Sequence, residues 1–267
     1  MLPTFLYGTA WKEDETERLT RLAIETGFRG IDTANQRRHY FEAAVGAGIA
    51  ASGVSREELF LQTKFTYRDS QDHRLPYDPK ADLGTQVRQS FASSLEHLRT
   101  DTIDSYVLHG PSRRRGLSPG DLEVWRTMEE LHCDNKTRFL GISNVALDQL
   151  EELLGKATVK PKFVQNRCYA ATGWDADVRA LCRKHGIVYQ GFSLLTANVS
   201  ELRRPAFRDI VKRAGRTPAQ VVFRFAIQVG MLPLTGTTDA AHMREDLAAT
   251  EFELSTEDVD RIENLAR

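Results

Sequence analysis

Little in this sequence is extreme, and each shortage removes a class of protein. Three cysteines, Cys133, Cys168 and Cys182, lie far apart and form no CxxC pair. They argue against a disulfide scaffold and fit reduced thiols in a cytosolic protein. No two histidines or cysteines share a ligand spacing such as HExxH, so no zinc site is expected. No apolar run approaches the ~20 residues that span a bilayer. The opening residues, MLPTFLYGTAWKEDE, carry no basic region ahead of an apolar core, so no secretory signal is read there. Neither sign of charge dominates: 36 Lys and Arg against 37 Asp and Glu leave a net charge of −1. That balance argues against a nucleic-acid or polyanion partner, which a basic surface would have to hold. The runs Arg37-Arg38 and Arg113-Arg114-Arg115 read as solvated loop charge. No heptad or long exposed apolar stripe asks for a second subunit, so a monomer is the default. No linker or low-complexity tract divides the chain, and residues 1–267 read as one domain.

What the sequence does have is alternation. Hydrophobic residues make up 41%, enough for a large core. Short β-rich runs are TFLYG (4–8), FRGID (28–32), LFLQTK (59–64), IDSYVLH (103–109), TRFLGIS (137–143), FVQNR (163–167), IVYQGFS (187–193) and MLPLTG (231–236). Between them the spacing predicts helices over 14–26, 41–52, 81–99, 119–132, 147–156, 175–185 and 217–229, with 239–248 and 256–266 closing the chain. Gly27, Gly53 and Gly186 stand where helices should stop. Ser55-Arg-Glu-Glu, Thr217-Pro-Ala-Gln and Ser255-Thr-Glu-Asp read as helix starts, each a hydroxyl with an acid or amide three residues on. Strands alternating with helices imply a parallel sheet. Eight units of about 33 residues suit a (β/α)8 barrel. An open doubly wound sheet would want a glycine-rich turn after an early strand, and no GxGxxG occurs. The longest irregular stretch, FTYRDSQDHRLPYDPK (65–80), would hang over the rim where barrel active sites lie.

In such a barrel the chemistry sits at the C-terminal ends of the strands. Those ends carry Asp32, Lys64, His109, Ser143-Asn144, Gln165, Phe192-Ser193 and Gly236-Thr237-Thr238. Singly, each has a dull reading: an Asx turn at Asp32, a snorkelling Lys64, a satisfied core histidine at His109. On one rim they permit a mechanism. An aspartate and a lysine on adjacent strands can pair. A partly buried ammonium lowers the pKa of a nearby phenol. A tyrosine so placed can give a proton to a carbonyl oxygen as hydride reaches the carbon. A neutral histidine can polarise that carbonyl. Ser143, Asn144 and Gln165 can hold a carboxamide, and Phe192 can stack on a ring. The loop after Asp32 supplies a tyrosine, Tyr40.

At these positions the sequence resembles the aldo-keto reductase family, and the resemblance runs over almost the whole chain. It is carried by GFRGIDTA (27–34), LFLQTK (59–64), IDSYVLHGP (103–111), LGISN (140–144), FVQNRCY (163–169), GFSLL (191–195), QVVFRFAIQ (220–228), PLTGTTDAAHMREDL (233–247) and FELSTEDV (252–259). The resemblance implies a (β/α)8 TIM barrel that binds NADPH or NADH across the rim, with NADP(H) favoured and NAD(H) open. It implies reduction of a small aldehyde or ketone, with an imine as a variant, by the tetrad Asp32, Tyr40, Lys64 and His109. It further implies that Ser143, Asn144 and Gln165 hold the carboxamide and that Phe192 stacks on the ring. Ser193, Leu195 and the 236–246 segment, with Gly236, Thr237, Thr238, His242, Glu245 and Asp246, would hold the phosphates and adenosine.

The pattern also breaks. The family places its tyrosine five residues after the aspartate, where this chain has Arg37. Counting back from Val45-Gly46 puts the usual position on His39, so register leaves Tyr40 and His39 as alternatives and chemistry favours Tyr40. The family's lysine near the end of strand 8 is Gly236 here, and its arginine for the 2′-phosphate aligns with His242, two residues from Arg244. Only MLP precedes strand 1, no long C-terminal tail follows the last helix, and Gly110 replaces a bulky aromatic after His109. The last two of these changes suggest an open site with room for a larger or polycyclic substrate. The displaced tyrosine and open rim also leave a second expectation: a nucleotide-binding regulatory or assembly protein with little turnover.

Overall fold

Alternation within the strands decides which side chains fill the barrel and which face the helices. In β3 (Phe60–Phe65) the odd residues Leu61 and Phe65 join the large core beneath the helices, whereas Phe60 meets Leu6, Phe163 and Leu232 inside the barrel. Gln62 and Lys64 share the inward side with Phe60. In the computed structural model the described residues are 2–266; Met1 and Arg267, the ends of the single domain expected over 1–267, lie outside them.

The other strands are β1 (Leu6–Gly8), β2 (Gly30–Asp32), β4 (Ile103–Leu108), β5 (Thr137–Ser143), β6 (Phe163–Arg167), β7 (Val188–Phe192) and β8 (Met231–Thr235). They close in chain order into a parallel barrel, with β1 paired to both β2 and β8. Eleven α-helices surround it among the described residues: α1 (Thr16–Thr26), α2 (Glu42–Ser52), α3 (Leu83–Leu98), α4 (Pro119–Cys133), α5 (Leu147–Lys156), α6 (Ala176–Lys184), α7 (Val199–Leu202), α8 (Pro205–Ala214), α9 (Pro218–Gln228), α10 (Ala240–Leu247) and α11 (Thr256–Glu263). The architecture is the (β/α)8 barrel expected from the strand–helix alternation.

Two local readings differ. The spacing places no helix between the strand at 187–193 and the helix at 217–229, yet α7 and α8 lie there, with Pro205 in the first turn of α8 and Gly215 as its left-handed stop. Ser55 does form a capping box with Glu58, but only a three-residue 3-10 turn follows, since Phe60 already belongs to β3. The helix layer is tight. A methyl group on Gly46 of α2 would fall on the backbone carbonyl of His97 in α3 and come within 3.0 Å of Leu98 Cα. Two tryptophans are sealed in this layer, Trp125 bonding to the Val159 carbonyl and Trp174 to the Ile262 carbonyl.

Candidate active site

Asp32 ends β2 and Lys64 lies on the neighbouring β3, so the barrel register itself brings them together. Both are buried, and Lys64 Nζ donates to Asp32 Oδ1 and Oδ2, each at 2.7 Å. Its third proton goes to the Thr33 carbonyl at 2.8 Å. Burial lowers the Lys64 pKa, against the opposing pull of the Asp32 carboxylate.

The loop that follows Asp32 is sewn in place. Asn35 donates to the Ser90 carbonyl and Ser94, Gln36 to the Ser70 carbonyl, and Gln71 to the Asn35 carbonyl. The 65–80 segment and the Asp32 loop therefore brace each other. The backbone N–H of Tyr40 donates to Gln36 at 3.0 Å. Its ring centroid lies 5.4 Å from Lys64 Nζ and 6.0 Å from the His109 ring, which meets it edge to face. The hydroxyl has no hydrogen bond to Lys64 among the described residues, because the ammonium's donors are already taken. Burial first, and then the Asp32 charge, raise the Tyr40 pKa, so the phenol is protonated at neutral pH. His39 takes a different direction. Its ring stacks 3.9 Å from that of Trp11, an exposed tryptophan with φ of 62° whose N–H bonds to the His39 carbonyl.

His109 follows β4. Its Nδ1 lies 2.7 Å from Thr66 Oγ1. Burial, then the Lys64 charge, push its pKa down to about 3, which keeps the imidazole neutral. Asn144 donates to the His109 carbonyl at 2.8 Å and Ser143 Oγ to the Gln165 carbonyl at 2.7 Å. Asn144 and Ser193 hold left-handed backbones, φ 51° and 57°, at the ends of β5 and β7. Such conformations cost energy and collect at functional sites.

These residues open onto one cavity of about 1560 Å³. Asp32, Tyr40, His109, Ser143, Asn144, Gln165, Phe192, Ser193, Leu195, Gly236, Thr237, His242, Glu245 and Asp246 line it; Lys64 lies beneath, and Thr238 stands exposed outside the lining. Asp246 is spoken for internally: Thr235 Oγ1 donates to it, and burial pushes its pKa up to about 6. At the first turn of α10, Asp239 accepts from the N–H groups of Ala241 and His242.

Strand-end reading missed Lys12, which follows β1. It is 8% exposed, lines the cavity, and donates to the Gly236 carbonyl, with no carboxylate paired to it among the described residues. Its ammonium lies 3.5 Å from where a Cβ at Gly236 would sit. A lysine from β1 thus stands where the resemblance expected one from β8, and burial lowers its pKa. The signal was available in YGTAWK, immediately after the first strand.

The family model described as Aldo/keto reductase family matches residues 4–267. Glyoxal reductase of Bacillus subtilis is 31% identical over 99% of this chain and 89% of its own length. The aldo/keto reductase of Brucella melitensis superposes with a TM-score of 0.84 at 26% identity, covering 99% of this chain and 95% of that one. The aldo-keto reductase of Bombyx mori, solved in complex with NADP, gives 0.82 at 25% identity over 99% and 89%.

Proposed function

This chain belongs to the aldo/keto reductase family and is an oxidoreductase, and on that premise we propose that it reduces an aldehyde or ketone at the expense of NADP(H), with Tyr40 as the proton donor. The observation that carries the reading is the meeting of Tyr40 and His109 above the buried Asp32–Lys64 pair, with the phenol facing the cavity.

The residues present fit a nicotinamide dinucleotide. Gln165 Oε1 has no protein partner among the described residues and belongs to a cavity-lining side chain. Phe192 offers a ring face and Lys12 a buried cation with no carboxylate paired to it among the described residues. When bound, the dinucleotide supplies the hydride. Tyr40, kept protonated by burial, gives its proton to the carbonyl oxygen, and the Lys64 charge stabilises the phenolate left behind. With Thr66 donating to Nδ1, neutral His109 carries its proton on Nε2 and polarises the same oxygen. Asp32 holds Lys64 against the cost of burying its charge.

NAD(H) is a second reading of the cofactor, favoured by Asp239, whose carboxylate already uses two N–H groups of the α10 first turn and repels a 2′-phosphate. The test is titration with NADPH and NADH, followed by nicotinamide absorbance with an activated aromatic aldehyde. Oxidation that disappears in Tyr40→Phe supports the reductase. Binding without oxidation by any carbonyl compound favours the regulatory alternative, and failure to bind either nucleotide overturns both.

A further inference from the structure

Three strands carry a glutamine at an inward position: FLQTK in β3, FVQNR in β6 and VYQGF in β7. Gln62 is in register with Asp32 on the β2–β3 wall, and Gln165 with Gln190 on the β6–β7 wall. The two walls face each other, and the side chains meet inside the barrel. All three amides are buried, at 0%, 3% and 0% exposure for Gln62, Gln165 and Gln190.

Their hydrogen bonds form a closed figure. Gln62 Nε2 donates to Asp32 Oδ1 at 2.7 Å and to Gln190 Oε1 at 2.8 Å. Gln165 Nε2 donates to the same two oxygens, at 3.0 and 2.9 Å. Gln190 Nε2 returns a bond to Gln62 Oε1 at 3.0 Å. One group dictates every orientation. An ionised carboxylate only accepts, so Gln62 and Gln165 must turn their NH2 groups toward Asp32. Two NH2 groups then converge on Gln190, which must answer with its oxygen. Both protons of the Gln165 amide are consumed inside the barrel, and only its oxygen is left for the cavity.

We propose that Gln62 and Gln190 are positioning residues that lock Gln165 as an acceptor, so that the site selects a ring substituent bearing an N–H donor, as the nicotinamide carboxamide does. This rests on the dinucleotide reading above. The locked amide chooses which end of the carboxamide faces Gln165. A flexible glutamine would present either end.

The test compares two ligands: the oxidised dinucleotide and its 3-acetylpyridine analogue, which keeps the carbonyl and replaces NH2 with methyl. Dissociation constants come from calorimetry, without turnover. Wild type should bind the analogue roughly tenfold more weakly, one hydrogen bond's worth. In Gln190→Met, of similar length and apolar, Gln165 keeps one anchor of two. The natural ligand should weaken several-fold and the discrimination shrink to about threefold or less. Gln62→Met, which removes the other half of the reciprocal pair, should move the ratio the same way and serves if the first variant does not fold. A merely structural role would weaken both ligands alike and leave the ratio unchanged, and that result in folded protein overturns the proposal. So does a wild-type ratio near one. If the wild type binds neither NADP+ nor NAD+, the assignment of function has failed first, and this inference falls with it.

Discussion

Replacing Tyr40 with phenylalanine removes one oxygen and leaves the packing intact. The ring still meets His109 at 6.0 Å and sits 5.4 Å from Lys64 Nζ. The lost hydroxyl has no protein partner among the described residues, so its removal orphans no donor or acceptor. The change in folding stability should therefore stay within about 0.5–1 kcal/mol. The loss in catalysis should be far larger, because a positioned general acid contributes about 10²–10⁴-fold. At about 1.4 kcal/mol per decade, that is roughly 3–5 kcal/mol of barrier. The assay is steady-state kcat and KM with an aldehyde, alongside the dinucleotide dissociation constant and the thermal midpoint. Three of the four quantities should hold and kcat should collapse. His39→Asn is the control: it breaks the stack on Trp11 but should change kcat by no more than about threefold. A Tyr40→Phe enzyme retaining more than about a tenth of kcat/KM refutes the assignment. If His39→Asn is the inactive one, the proton comes from the other candidate in the loop.

Lys12→Met should weaken dinucleotide binding about tenfold or more, the worth of a charge-assisted hydrogen bond, without lowering the thermal midpoint. A nucleotide affinity equal to wild type removes Lys12 from the site. Gly46→Ala should lower stability by about 2 kcal/mol despite alanine's better helix propensity, since α2 and α3 have no space for the methyl; an unchanged denaturation midpoint contradicts that packing. His97 Nδ1 donates to Oε2 of buried Glu42 at 3.2 Å, and that bond raises the His97 pKa. A raised folded value means the contribution is full below the unfolded value of 6.5 and fades as pH rises through the folded one. The partly exposed imidazole is screened, so wild type should exceed His97→Gln by no more than about 1 kcal/mol at acid pH and by less in alkali. The opposite trend across pH rules the pair out.

Every strand could be found in the sequence because each is a short β-rich run bounded by turn residues, and the strand ends nominated most of the rim. What escaped depended on closure. Gln62 and Gln190 read locally as inward residues of separate strands, and nothing in either strand says that they meet across the barrel. Lys12 escaped because β1 ends in small residues and the lysine lies four residues beyond Gly8. The choice between Tyr40 and His39 was undecidable by counting. It depends on bonds from Asn35, Gln36 and Gln71 to distant segments, which swing one ring toward His109 and the other under Trp11. PAFRDIVKRAG, in contrast, carried a proline start and a glycine stop for α8, so that helix was legible and overlooked.

The position of Trp11 also gives the molecule an optical handle. Of its three tryptophans, Trp125 and Trp174 are 2% and 0% exposed, whereas Trp11 is 67% exposed and stands at the cavity mouth. The two sealed indoles emit toward the blue, out of reach of a dissolved quencher. The third emits toward the red and is open to iodide. Shielding from iodide therefore follows whatever occupies the mouth, while the blue component follows the fold, and one cuvette reads both without a label.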